Sequence, residues 1–248
     1  MARALISKNA TKSVYRDGDK AVKVFCKGFP KAEVLNEALI SARVEAIGGI
    51  NIPSVQAVSV EEDGCWSITR DYIEGKTLTE LMKENPDKRD EYLNQMVELQ
   101  LMIHSKTCPL LNKLKDKMAR QISEMEELDP VNRYDLLTRL DSTPKHIKLC
   151  HGDFQPDNII VKEDGTMYVV DWVHATQGNA SADVARTYLL FCLTDQAAAE
   201  KYMDLFCEKT GTAKRYVQQW LLAAAQLTKK RPEEQELLQS WLNVCDYQ

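Results

Sequence analysis

The sequence predicts an α+β protein with a small N-terminal β-sheet lobe containing one helix, residues 1–73, and a larger, mainly helical C-terminal lobe, residues 74–248. Before residue 73, short runs alternate apolar and polar side chains with period two and end at Gly or Pro signals. After it, apolar residues recur three and four apart over stretches too long for strands. The helical pattern is broken once, by a β segment that begins at "IKLCHGD" and runs through "NIIVKEDGTMYVVDW".

In chain order, "LISKNATKSVYRD" and "KAVKVF" read as strands joined by a tight Asp-Gly turn in "RDGDK". "KAEVLNEALISARVEAIGG" sets Val34, Leu35, Ala38, Leu39, Ala42 and Val44 at helical spacing and stops at Gly48 and Gly49. "VQAVSVEED" and "CWSITRDYI" follow as strands, joined at Asp63 and Gly64. Glu74 and Gly75 leave room only for a short hinge before the helical part. There, "DEYLNQMVELQLMIHSK" and "LNKLKDKMARQISEMEEL" are helices, with His104 on an apolar face as a core histidine. The chain from Ser181 to its end is helical as well, with Ser181 in the position of an N-cap.

A net charge of −5 and a pI near 5.5 exclude the basic surplus that a nucleic-acid or anionic-membrane surface requires. No window reaches the length and apolarity of a membrane span, and "MARALISKNATKSVYRDGDK" has no signal-peptide core, so a cytoplasmic protein is expected. The seven cysteines, scattered and never in C-x-x-C spacing, read as buried free thiols.

The stretch "CHGDFQPDNII" crowds His151, Asp153, Asp157 and Asn158 against the start of a strand. If the following hairpin turns on two residues, Asp164 and Gly165, then Asn158 stands directly across from Asp171, about 5 Å away at Cβ. An amide oxygen and a carboxylate so placed are hard ligands suited to Mg²⁺, which takes one or two protein ligands beside substrate phosphates. Asp153, five residues upstream of Asn158, can then accept a proton from an attacking hydroxyl and orient it.

"HGDFQPDNII" with "VVDW" resembles the catalytic and metal-binding loops of the aminoglycoside phosphotransferase and choline kinase family, small-molecule kinases with a two-lobe, protein-kinase-like fold. The resemblance implies Asp153 as catalytic base, Asn158 and Asp171 as Mg²⁺ ligands, and His151 packed under the metal loop. It further implies that Lys23 of "AVKVF", paired with Glu37 of "LNEALI" or failing that Glu33, holds the phosphates of ATP or GTP. Main-chain groups from Asp71 to Ile73 in "RDYIEG" would meet the adenine, and Asp183 in "SADVARTYLL" would brace the catalytic loop. Trp172 and His174, just past the metal loop, could reach the acceptor. Two features depart from the family pattern: "ISKNATKSVY" has no glycine where a glycine-rich loop usually covers the phosphates, and Gln155 stands where the family often has histidine.

Gly152 precedes Asp153 where protein kinases carry arginine, and the segment between Asp171 and Asp183 is too short for a peptide-docking platform, so the acceptor is a small molecule. The six acids between residues 151 and 183, against Lys162 alone, suit Mg²⁺ and would accept a cationic alcohol. From residue 195 onward eight acids and seven bases balance, which leaves aminoglycoside, amino alcohol, sugar and nucleoside open. The expected activity is transfer of the γ-phosphate of ATP or GTP to a hydroxyl. The alternatives are a kinase-like module that binds nucleotide with little or no turnover and a purely structural interaction protein.

Overall fold

The computed structural model describes residues 3–125 and 129–220. The chain runs β1 (Ala4–Lys8), β2 (Lys12–Asp17), β3 (Lys20–Phe25), α1 (Lys31–Glu45), β4 (Val55–Val60), β5 (Trp66–Asp71), β6 (Lys76–Thr77) and α2 (Leu78–Glu84). It continues through α3 (Arg89–His104), α4 (Leu114–Glu124), α5 (Pro130–Ser142), β7 (Lys148–Cys150), β8 (Ile159–Val161), β9 (Met167–Val169), β10 (Thr176–Gly178), α6 (Ala180–Cys192), α7 (Gln196–Thr210) and α8 (Lys214–Gln219). The helical continuation expected toward the C-terminus lies, beyond residue 220, outside the described residues.

Two compact units result, one of residues 1–84 with 156–174 and one of residues 85–155 with 175–248. This grouping does not coincide with the boundary expected at residue 73. β6 pairs with β8, which in turn pairs with β9, so hydrogen bonds fasten the hairpin after Asn158 to the end of the N-terminal segment. Gly75 makes that join possible, because a Cβ there would lie 2.4 Å from the Val161 carbonyl oxygen.

In the first unit an antiparallel sheet of order β1-β2-β3-β5-β4 packs one face on α1 around Phe25, Val34, Ala38 and Ile68. Helix α1 does not bury the face its leucines suggest. Leu35 and Leu39 are exposed, whereas Glu37 and Ser41 are buried, because the sheet face beneath them carries cations. Gly18 and Asp19 form the two-residue turn between β2 and β3.

The second unit is helical except for the antiparallel pair β7 and β10. Helix α6 is buried along nearly its whole length and packs on α7. Its N-cap is Asn179, whose side chain accepts a hydrogen bond from the Ser181 N–H, so Ser181 sits inside the helix rather than capping it. Among the described cysteines none forms a disulfide. Cys65, Cys108 and Cys150 are buried as expected, but Cys26 is exposed, and Cys245 lies outside the described residues.

Candidate active site

Strand alternation places Lys23 of β3 on the same sheet face as Phe25, and the register sets it opposite Val14 on one side and Ile68 on the other. The same register brings Lys12 of β2 and Arg70 of β5 onto that face, since Lys12 pairs with Phe25 and Arg70 with Ala21. Glu37 descends from α1 into this group. Its Oε1 accepts from Lys23 Nζ at 2.6 Å and from Arg70 Nη2 at 3.0 Å, with Arg70 also bonded to Ser41 Oγ at 3.1 Å. The pairing is obligatory, because Glu37 is 2% exposed and a buried carboxylate without cations would be strongly disfavoured. Glu33, the fallback partner for Lys23, is not needed.

Lys23 also donates to Asp171 Oδ1 at 3.0 Å. Burial would raise the Asp171 carboxyl, but Lys23 and Lys12 outweigh it and hold the group well below the usual carboxylate range. Burial likewise works against the Lys23 ammonium, while Asp171 and Glu37 raise it above its ordinary value. Lys12, for which burial dominates, is lowered instead. The result is a fixed set of charges: two carboxylates tied to one lysine, with a second lysine close by.

Asn158 and Asp171 do not face each other as the two-residue turn required. Gly165 N–H bonds to the Lys162 carbonyl and Lys162 N–H to the Thr166 carbonyl, so the loop has three residues with Gly165 left-handed at φ 82°. Ile159 then pairs with Val169, and Asn158 lies opposite Val170, whose N–H donates to the Asn158 carbonyl at 3.0 Å. Asp171 falls one residue beyond the ladder. There it adopts φ 61°, the left-handed conformation that costs a non-glycine residue about 1 kcal/mol, and this turns its side chain to Lys23. Trp172 is fully buried and donates to the Val169 carbonyl, which makes it a packing residue rather than an acceptor contact.

Near the expected hinge, the Asp71 N–H bonds to the Ser54 carbonyl and the Tyr72 N–H to the Asp19 carbonyl. The glycine-free segment is closed by Asn9, whose side-chain oxygen accepts from the N–H groups of Thr11 and Lys12. This Asx turn closes the connection from β1 to β2 without glycine.

In the second unit the loop after β7 is organised around Asp183 of α6, which is 3% exposed. Its carboxylate accepts from the N–H groups of His151 at 3.1 Å and Gly152 at 2.7 Å, and from His104 Nε2 at 2.9 Å. Burial would raise this group, yet His104 and the Gly152 N–H prevail and bring it to about 2. His151 is wholly buried, edge-on to Phe154, with Nδ1 accepting from the Asp153 N–H at 3.2 Å. Cys150 lies beside His104 and Asp183, but its Sγ donates to the carbonyls of Lys148 and Asn179, and burial drives the thiol up, so it is no thiolate ligand.

Asp153 is therefore presented by a braced loop. Its Oδ2 accepts from Gln155 Nε2 at 3.1 Å, and its Oδ1 faces Arg186 Nη2 at 3.5 Å. Lys117 of α4 lies near enough for its charge to act on Asp153, Asp183 and Arg186. Arg70 and Lys12 could have been placed from strand alternation alone. Arg186, three residues after Asp183 on α6, and Lys117 gave no comparable signal.

An antiparallel sheet over one helix, followed by a helical part with a polar loop braced from below, is the protein-kinase-like fold. A family model described as "Phosphotransferase enzyme family" matches residues 4–216, and the chain belongs to that family. Among solved structures, a thermostable mutant of aminoglycoside phosphotransferase APH(4)-Ia matches with a TM-score of 0.73 at 15% identity, covering 100% of this chain and 96% of that one. The same enzyme in ternary complex with AMP-PNP and hygromycin B gives 0.73 at 16% identity, with 100% and 95% covered. Choline kinase LicA from Streptococcus pneumoniae gives 0.68 at 15% identity, with 100% and 94% covered. A comparison with curated protein sequences finds no match. No helix among the described residues is long and apolar enough to cross a membrane.

Proposed function

We propose that this protein is a small-molecule kinase that transfers the γ-phosphoryl group of ATP or GTP to an alcohol, with residues 1–73 as the nucleotide lobe and 74–248 as the catalytic and acceptor lobe. The observation that carries the reading is the bridge from Lys23 to both Glu37 and Asp171. A lysine held this way has little to do in a purely structural protein, but it is the group that a kinase-like site sets against the nucleotide phosphates.

In this reading Lys23, positioned by Glu37 and Arg70, neutralises the phosphates, and Lys12 adds charge where glycine is absent. Ile73 and the carbonyls near Asp71 meet the adenine, two neighbouring N–H groups being already engaged. Asp171 and Asn158 fit Mg²⁺, since both offer hard oxygen donors and Asp171 is kept anionic. Bound there, Mg²⁺ would supply charge neutralisation at the β- and γ-phosphates. Asp153 takes the proton of the acceptor hydroxyl as that oxygen bonds to the γ-phosphorus. The bond from phosphorus to the β,γ-bridging oxygen breaks, and the products are a phosphate ester and the nucleoside diphosphate.

The test begins with the thermal midpoint of the protein with ATP or GTP, each with and without Mg²⁺. A Mg²⁺-dependent rise is expected, followed by transfer to an alcohol that Asp153→Asn lowers about 10²- to 10⁴-fold while nucleotide binding persists. Retention of turnover by that variant would remove Asp153 from its role. Binding without transfer to any alcohol would favour a catalytically weak nucleotide-binding module, which the glycine-free segment leaves room for.

A further inference from the structure

We propose that Cys26 and Cys65 form an oxidative modification site, a cross-strand pair of thiols that a peroxide converts to a reversible disulfide. Neither thiol belongs to the proposed phosphoryl-transfer machinery.

These two are the described cysteines of the first unit, since Cys108, Cys150, Cys192 and Cys207 belong to the second. Strands β3 and β5 pair antiparallel, with Lys23 opposite Ile68 and Val24 opposite Ser67. The same register, continued two residues past that last pair, sets Cys26 opposite Cys65. Main-chain hydrogen bonds define the kind of pair. The Cys26 N–H donates to the Thr11 carbonyl on the β2 side, and the Cys65 carbonyl accepts from the Glu61 N–H on the β4 side. Both cysteines thus turn these groups away from each other, as in a non-hydrogen-bonded antiparallel pair. In such a pair the Cα atoms stand about 4.5 Å apart, inside the range of about 4.4–6.8 Å that a disulfide spans. Alternation along β3 directs Cys26 to the sheet face opposite Lys23 and Phe25, so the link leaves the Lys23 to Glu37 pair untouched.

Cys26 is exposed and Cys65 is buried, and this sets the order of events. Burial and the neighbouring Asp63 hold the Cys65 thiol above its ordinary value, with the Cys26 charge acting in the same direction. Cys26 therefore meets the oxidant first. Its thiolate attacks one peroxide oxygen, the S–O bond forms, the O–O bond breaks, and hydroxide leaves to be protonated to water. The Cys65 thiolate then attacks the sulfenic sulfur, the S–S bond forms, and the hydroxyl departs with a proton as a second water. Two thiols lose two protons and two electrons in all, and one hydrogen peroxide becomes two waters. The ring so closed contains α1 and β4, which ties β3 to β5 around the helix that carries Glu37 and removes conformations from the unfolded chain.

The experiment exposes the reduced full chain to hydrogen peroxide, blocks the remaining thiols by alkylation and maps tryptic peptides by mass. Residues 24–27 should be joined to residues 44–70 with the loss of two hydrogens, and dithiothreitol should separate them. The thermal midpoint should rise by about 4 °C or more on oxidation and fall back on reduction, and Cys26→Ser should show no rise. In Cys65→Ala the oxidant should stop at a sulfenic acid on Cys26, trapped by dimedone, whereas in Cys26→Ser the buried Cys65 should stay reduced. Alkylation of both peptides with no link after peroxide treatment, or a link drawn from other cysteines instead, would overturn the proposal. Oxidation of Cys65 in Cys26→Ser as fast as in the parent would overturn the order of events, and an unchanged midpoint would overturn the bracing of β3 against β5.

Discussion

Lys23 serves two carboxylates, and its loss should be felt differently at each. In Lys23→Met, Glu37 keeps Arg70, whereas Asp171 loses its closest cation. The variant should lose about 1–3 kcal/mol in denaturant unfolding and raise the KM for ATP by roughly tenfold or more. The Lys23 to Glu37 pair and the brace from Asp183 to the His151 and Gly152 N–H groups are legible in the sequence, because their order follows the motif. Arg186 is not, because nothing local tells a cation beside Asp153 from one in solvent.

At the scale of elements, turn chemistry decides what pairing arithmetic cannot. Both later Asp-Gly pairs, at 63–64 and 164–165, close three-residue loops, with the glycine N–H bonded back to Glu61 or Lys162 and the ladder resumed one residue on. An Asp-Gly pair alone does not say whether the loop has two residues or three, and the difference moved Asn158 away from Asp171. Gly165→Ala should cost about 1 kcal/mol from the strained φ, measurable as a lower denaturation midpoint. Gly75→Ala should cost more, roughly 2–3 kcal/mol, since the obstacle is backbone rather than a movable side chain. Helix α1 teaches a related lesson. Leu35 and Leu39 stay exposed, while Glu37 and Ser41 are buried beside Val34, Ala38, Ile40 and Val44, where Lys23 and Arg70 satisfy the carboxylate.

For the whole molecule, part of the acid limb of stability should trace to Asp183, with Asp171 contributing at still lower pH. The folded value of Asp183, about 2, lies below the unfolded carboxylate value, so its stabilisation is complete above about pH 4 and lost as pH falls toward 2. It is worth about 2 kcal/mol, and Asp183→Asn should remove that part of the pH dependence in unfolding measured between about pH 2 and about pH 6. The switch from strands to helices was plain in the sequence because periodicity is local. The grouping into units was not, since it depends on which strand β8 chooses as a partner.

That grouping has a consequence for how the protein is made. The ribosome releases residues 1–84 first, but the strands that complete their unit follow only after the whole of 85–155 has emerged. The usual order of N-terminal domain first is closed to this chain. The nascent segment must wait, with the Gly75 to Thr77 edge unpaired and Lys23 lacking Asp171. A fragment ending at Glu84 is expected to populate only partial structure and to need the hairpin, supplied as a separate peptide of residues 156–174, before its amides resist hydrogen exchange.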